Sequence, residues 1–146
     1  MKTLKLFIIL ALLPLQFVIA KTPQTSDDGI YTQMHAIDTY IDAMVRGKLQ
    51  GFDAVLDPSA KFTILISKNH LQSFDKSQML TFMNVIKDTE MDCTVKTGIV
   101  QSTADMIVAK VDMKFPTFTR TNYVSIANTH SGWKILNVYS VFNQLN

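Results

Sequence analysis

Apolar residues recur at helical spacing from Ile30 through Met34, Ile37, Tyr40, Ile41, Met44 and Val45. They fall on one stripe of a helix, which the sequence would cap at Ser26, charge favourably in its first turn with Asp27 and Asp28, and stop at Arg46-Gly47. Leu49 to Leu56, with Phe52 and Val55, predicts a second short helix, and Asp57-Pro58-Ser59 turns the chain away from it. The period then changes to two. Phe62, Ile64 and Ile66 alternate with Lys61, Thr63 and Leu65, and Ser67-Lys68-Asn69-His70 offers a turn into Leu71 to Phe74, which predicts a hairpin. Asp75-Lys76-Ser77-Gln78 carries the residues of a capping box, and Leu80, Met83 and Ile86 follow on one stripe, so a third helix is predicted to about Lys87.

After Glu90 the pattern is strand throughout. Met91 to Gln101, Met106 to Phe115, Thr119 to Ala127 and Trp133 to Phe142 are rich in β-branched and aromatic residues and are separated by turn-forming segments. Helices followed by a meander of long strands give an α+β class, with a curved antiparallel sheet wrapped around the N-terminal helices. In the last strand, Leu136, Val138 and Phe142 share one side while Trp133, Ile135, Tyr139 and Val141 share the other. A sheet with one wet face would leave the second set polar, so the outer face is expected to be covered, most economically by a second copy in a homodimer.

Composition changes the picture at the N-terminus. Lys2 and Lys5 precede a 15-residue apolar run, Leu6 to Ala20, ending in Val18-Ile19-Ala20. This is the pattern of a signal peptide over residues 1–20, followed by a leader over 21–27 and a single domain over 28–146. The run is interrupted by Pro14 and Gln16 and is short for a spanning helix, so no membrane association is expected after cleavage, and the product is expected in the periplasm or secreted. Removing Lys2 and Lys5 from the 14 basic residues leaves them equal in number to the 12 acidic ones, which excludes nucleic-acid binding on charge. The only cysteine, Cys93, has no intrachain partner and alternates with Met91, Val95 and Ile99, so a buried, inert thiol is expected.

Motifs of nucleotide or nucleophile chemistry are absent, and no cofactor is implied. His70 and His130 lie in predicted turns. His35, Asp38 and Asp42 share the polar face of the first helix, but a solvated face explains them without a metal.

Two stretches carry a family resemblance. Thr39-Tyr40-Ile41-Asp42-Ala43-Met44-Val45-Arg46-Gly47-Lys48-Leu49-Gln50-Gly51-Phe52, followed by Leu56-Asp57-Pro58-Ser59-Ala60-Lys61-Phe62, resembles the opening of the cone-shaped, cystatin-like superfamily named for nuclear transport factor two. Asn122-Tyr123-Val124-Ser125-Ile126 with Ser131-Gly132-Trp133-Lys134-Ile135-Leu136-Asn137-Val138 is similar to the closing hairpin of its SnoaL-like, lumazine-binding branch. The steroid isomerases of that superfamily imply a residue-level test. Their oxyanion-binding tyrosine matches Tyr40, and their second donor, a protonated aspartate, falls at Asn122, whose amide also donates. Their carboxylate base falls at or near Ile64, which is apolar. The resemblance therefore implies a small apolar ligand with one polar end held by Tyr40 and Asn122, within walls expected from Met44, Phe62, Ile64, Phe82, Val111, Met113, Val124, Leu136 and Val138. Three readings stay open: a binding domain, an isomerase or dehydratase whose base comes from elsewhere (Asp112 or Asp105), and a protein-interaction or structural module with a solid core.

Overall fold

The computed structural model describes residues 32–68 and 70–145, in the order α1 (Gln33–Arg46), α2 (Phe52–Val55), β1 (Leu56–Ser67), β2 (His70–Asp75), α3 (Lys76–Val85), β3 (Thr94–Ser102), β4 (Met106–Lys114), β5 (Phe118–Thr129) and β6 (Gly132–Gln144). Helix α1 is capped by Thr32, whose side chain accepts the His35 backbone N–H at 3.3 Å. The predicted cap Ser26, the acidic pair Asp27 and Asp28, the signal peptide and the leader all lie outside the described residues. Met34, expected in the core stripe, is exposed, whereas Ile37, Tyr40, Ala43 and Met44 are buried. The helix ends at Gly47 in a left-handed conformation, φ 62°. A side chain there would also meet the Asp88 and Thr89 backbone nitrogens at 2.7 Å, so this turn demands glycine on two counts. Asp75 and Gln78 form the predicted reciprocal capping box of α3.

The six strands form one sheet in the order β2-β1-β6-β5-β4-β3. Four of the neighbouring pairs are antiparallel, and β1 pairs with β6 in parallel. Helix α3 lies against β1 and β2, and α1 lies against β4, β5 and β6. Asp57-Pro58-Ser59 does not leave the strand. It forms the start of β1, where the register against β6 shifts between Leu56 and Lys61.

A second irregularity corrects the reading of the last strand. Ser125 pairs with Asn137 and Ile126 with Ile135, so Leu136 is an extra residue that reverses the alternation of β6. Ile135 is therefore completely buried and Trp133 packs against the core, while Tyr139 remains outward and half-exposed. The predicted outer set is split by the bulge, and Leu136 itself is only half-buried. Strand β3 is exposed at every position because it is the sheet edge and the helices do not reach it. Cys93 stands just before it and is half-buried rather than buried as expected, with Val95 and Ile99 both exposed.

Candidate functional site

The inward positions of β5 are Arg120, Asn122, Val124 and Ile126, and their partners on β6 are Phe142, Ser140, Val138 and Ile135. Two of these rows are apolar and sealed. The other two put polar groups inside the cone, beside a cavity of about 340 Å³ that α1, α3 and the sheet line together. Its walls are Met44 from α1, Met79 and Phe82 from α3, Ile64 from β1, Gln72 and Phe74 from β2, and Arg120 and Phe142.

Asn122 is entirely buried and uses both ends of its amide. Its Nδ2 donates to the Val111 carbonyl and the Met113 Sδ, each at 3.3 Å. Its Oδ1 accepts from Arg120 Nε at 3.0 Å and from Ser140 Oγ at 2.7 Å. Arg120 Nη2 donates in turn to Ser140 Oγ at 3.2 Å, and its guanidinium lies 5.7 Å from the Phe142 ring centroid. Phe142 is itself steadied by Phe118, which stacks on Phe115. No carboxylate lies within ion-pair distance of Arg120 among the described residues.

Tyr40 is fully buried and its hydroxyl has no hydrogen-bond partner among the described residues. Burial pushes its pKa up to about 12, partly offset by the positive charge of Arg120. Tyr40 is a buried position of α1, which packs on β4, β5 and β6, and Asn122 is a buried position of β5, but neither lines the cavity. At neutral pH the phenol is a hydrogen-bond donor without an acceptor.

The expected wall is only partly the observed one. Met44, Ile64 and Phe82 line the cavity, with Phe82 at its rim, more than half exposed. Phe62, Val111, Met113, Val124 and Val138 are buried in the solid core instead, and Leu136 sits on the bulge. They were misplaced because inward direction alone does not distinguish a cavity wall from packed core. Arg120 was missed, although its spacing of two from Asn122 on a predicted strand placed it on the same face. The candidate bases lie elsewhere. Asp112 accepts from Thr121 Oγ1 at 2.6 Å and pairs with Lys110 at 2.9 Å on the outer face, and Asp105 lies between β3 and β4. No cavity-lining residue is a carboxylate. Among the described residues no three His, Cys, Asp or Glu side chains converge as metal ligands, and Asp42 pairs with Arg46. No helix among them is long and apolar enough to cross a membrane.

No protein-family model and no curated protein matches the chain in sequence. Solved structures do match its shape. A nuclear transport factor two-like protein of unknown function from Silicibacter pomeroyi is 16% identical, with a TM-score of 0.61 over 83% of this chain and 99% of that one. A cystatin-like fold protein from Burkholderia xenovorans is 12% identical, with a TM-score of 0.62 over 83% of this chain and 96% of its own. A Parabacteroides distasonis protein provisionally named a ketosteroid isomerase is 10% identical, with a TM-score of 0.54 over 73% and 83%. At these identities the likeness carries the fold alone: this chain has the α+β, cystatin-like cone of nuclear transport factor two-like proteins.

Proposed function

We propose that the protein binds a small apolar molecule with one polar end, seated in the cavity between α1, α3 and the sheet. The observation that carries this reading is Arg120, held from behind by the buried Asn122 and Ser140, in a cavity whose other walls are apolar except for Gln72. Polar groups inside a cone are costly unless paired, and an apolar pair in those rows would pack more simply. The volume of about 340 Å³ is near the lower bound of small-molecule sites, about 300–1,000 Å³. A carboxylate-free lining favours binding over the proton abstraction of the steroid isomerases.

The same reading assigns the chain to the SnoaL-like, lumazine-binding branch on its closing hairpin, with export directed by residues 1–20 and a homodimer formed through the outer sheet face. Tyr123 and Tyr139 are direct cross-strand partners there and both are substantially exposed, with Leu71 exposed further along the same face. Native mass spectrometry of protein purified from its own compartment tests binding and assembly together. The expected result is a dimer that releases a small molecule on denaturation and shows no ketosteroid isomerisation. Isomerase activity abolished by Tyr40→Phe would overturn the binding reading in favour of an enzyme.

A further inference from the structure

The charge at the end of the cavity defines the ligand more closely than its shape does. Arg120 brings a guanidinium to the cavity, and its two hydrogen-bond acceptors, Asn122 Oδ1 and Ser140 Oγ, are both neutral. They orient the guanidinium without cancelling its charge. The remaining terminal nitrogen, Nη1, has no hydrogen-bond partner among the described residues, and Arg120 is the only charged side chain that lines the cavity. A half-buried cation with no carboxylate partner therefore stands beside Met44, Ile64, Phe74, Met79 and Phe142, with Nη1 open to a further acceptor. An anion seated there would pair with it.

We propose that the ligand is an amphiphilic monocarboxylate, whose carboxylate pairs with Arg120 while its hydrocarbon part fills the apolar cavity. This rests on the binding reading above and adds the sign of the polar end. A carboxylate fits better than a phosphate because a single guanidinium fork supplies all the positive charge, with no second cation and no helix N-terminus lining the cavity. Asn122 and Ser140 are positioning residues for the fork. The outer depression lined by Lys96, Lys110 and Lys114 is the competing anion site, but Lys110 there is already paired with Asp112.

The test is isothermal titration calorimetry of the full mature protein with octanoate and with octanol, at neutral pH and low salt. Octanoate is expected to bind at least about tenfold more tightly, since a hydrogen bond to a charged group is stronger than a neutral one. Arg120→Gln should remove that preference, and Arg120→Lys should retain part of it. Ile64→Trp, which fills the cavity, should abolish binding of both. Equal affinity of the wild-type protein for octanoate and octanol would overturn the anionic assignment and leave the pocket standing. Binding of neither would overturn the pocket as well. Octanoate binding that survives Ile64→Trp would place the anion elsewhere and overturn the proposal. The wild-type comparison needs no variant to fold.

Discussion

The paired strands β5 and β6 carry two different interiors. In the rows Val124 with Val138 and Ile126 with Ile135, every side chain is at most 1% exposed and none is polar. In the next rows, Asn122 faces Ser140 and Arg120 faces Phe142, and the last two line a cavity with Met44 of α1 and Met79 of α3. The backbone pairing is the same in both halves. What changes is that the sealed half gains from close packing, whereas the open half keeps buried polar groups that must be satisfied one by one. The proposed binding site is placed in the second half because its polar groups are held in position there rather than packed away.

The largest effect should come from placing charge in the sealed half. Ile135→Lys puts an ammonium where the side chain is completely buried, and a cost of several kcal/mol, on the order of ~3–5, is enough to abolish the cooperative melt of a domain this size. Tyr139→Lys, four residues later but outward, should fold normally and sediment as a monomer. Their contrast measures the phase reversal at Leu136. A normal melt for Ile135→Lys would return that residue to the outer face.

Tyr40 gives an intermediate effect and reads the boundary between the two halves. Its folded pKa of about 12 lies above the ordinary value of 10.0, so its contribution is fully present below about pH 10 and is lost as pH rises through the folded value. A two-unit elevation corresponds to roughly 2–3 kcal/mol. Tyr40→Phe should therefore flatten the alkaline limb of the stability curve. It should also leave neutral-pH stability unchanged or slightly raised, because the hydroxyl it removes is buried without a partner. Stability falling at neutral pH by more than about 1 kcal/mol would mean that the hydroxyl is hydrogen-bonded in the native protein.

Much of this architecture was legible because period and capping are local. The capping box at Asp75 and Gln78, the stop at Gly47 and the strand-rich C-terminal half all appear in the structure. The start of α1 differs, since Thr32 rather than Ser26 makes the cap at Gln33. The bulge at Leu136 was not legible, because an extra residue in a strand alters pairing across the sheet without leaving a turn signal in the sequence. It misassigned Ile135 and Trp133 to the outer face and Leu136 to the interior. The cavity was half legible. Alternation correctly put Ile64 and Asn122 inside, but where α1 and α3 part over the sheet depends on long-range packing, so Val111 and Val124 were given to a wall that Phe74, Met79 and Phe142 provide. Arg120 went unnoticed for a different reason: a charged residue near a strand end reads as solvated unless its face is followed residue by residue.

The smallest effect belongs to the outer face, where polar residues of β4 and β5 meet near water rather than inside the cone. Asp112 and Thr121 are cross-strand partners, and Thr121 donates to the carboxylate at 2.6 Å. Partial burial opposes ionisation of Asp112, but the hydrogen bonds from Thr121 and Lys110 and the charges of Lys110 and Lys96 outweigh it and hold its pKa below the usual 3.8. A lowered carboxyl pKa stabilises the fold above the unfolded value, and that stabilisation disappears as pH falls through the folded one. Because the carboxylate is partly solvated, the effect should not exceed about 1 kcal/mol. Thr121→Val keeps the shape of a side chain that is 5% exposed and deletes its hydrogen bond. The variant should melt slightly below wild type near neutral pH, and the gap should narrow once the medium is acid enough to protonate Asp112. If the gap persists unchanged in acid, Thr121 contributes only packing, and the polar pairing on this face, unlike the cluster around Arg120, adds nothing to stability.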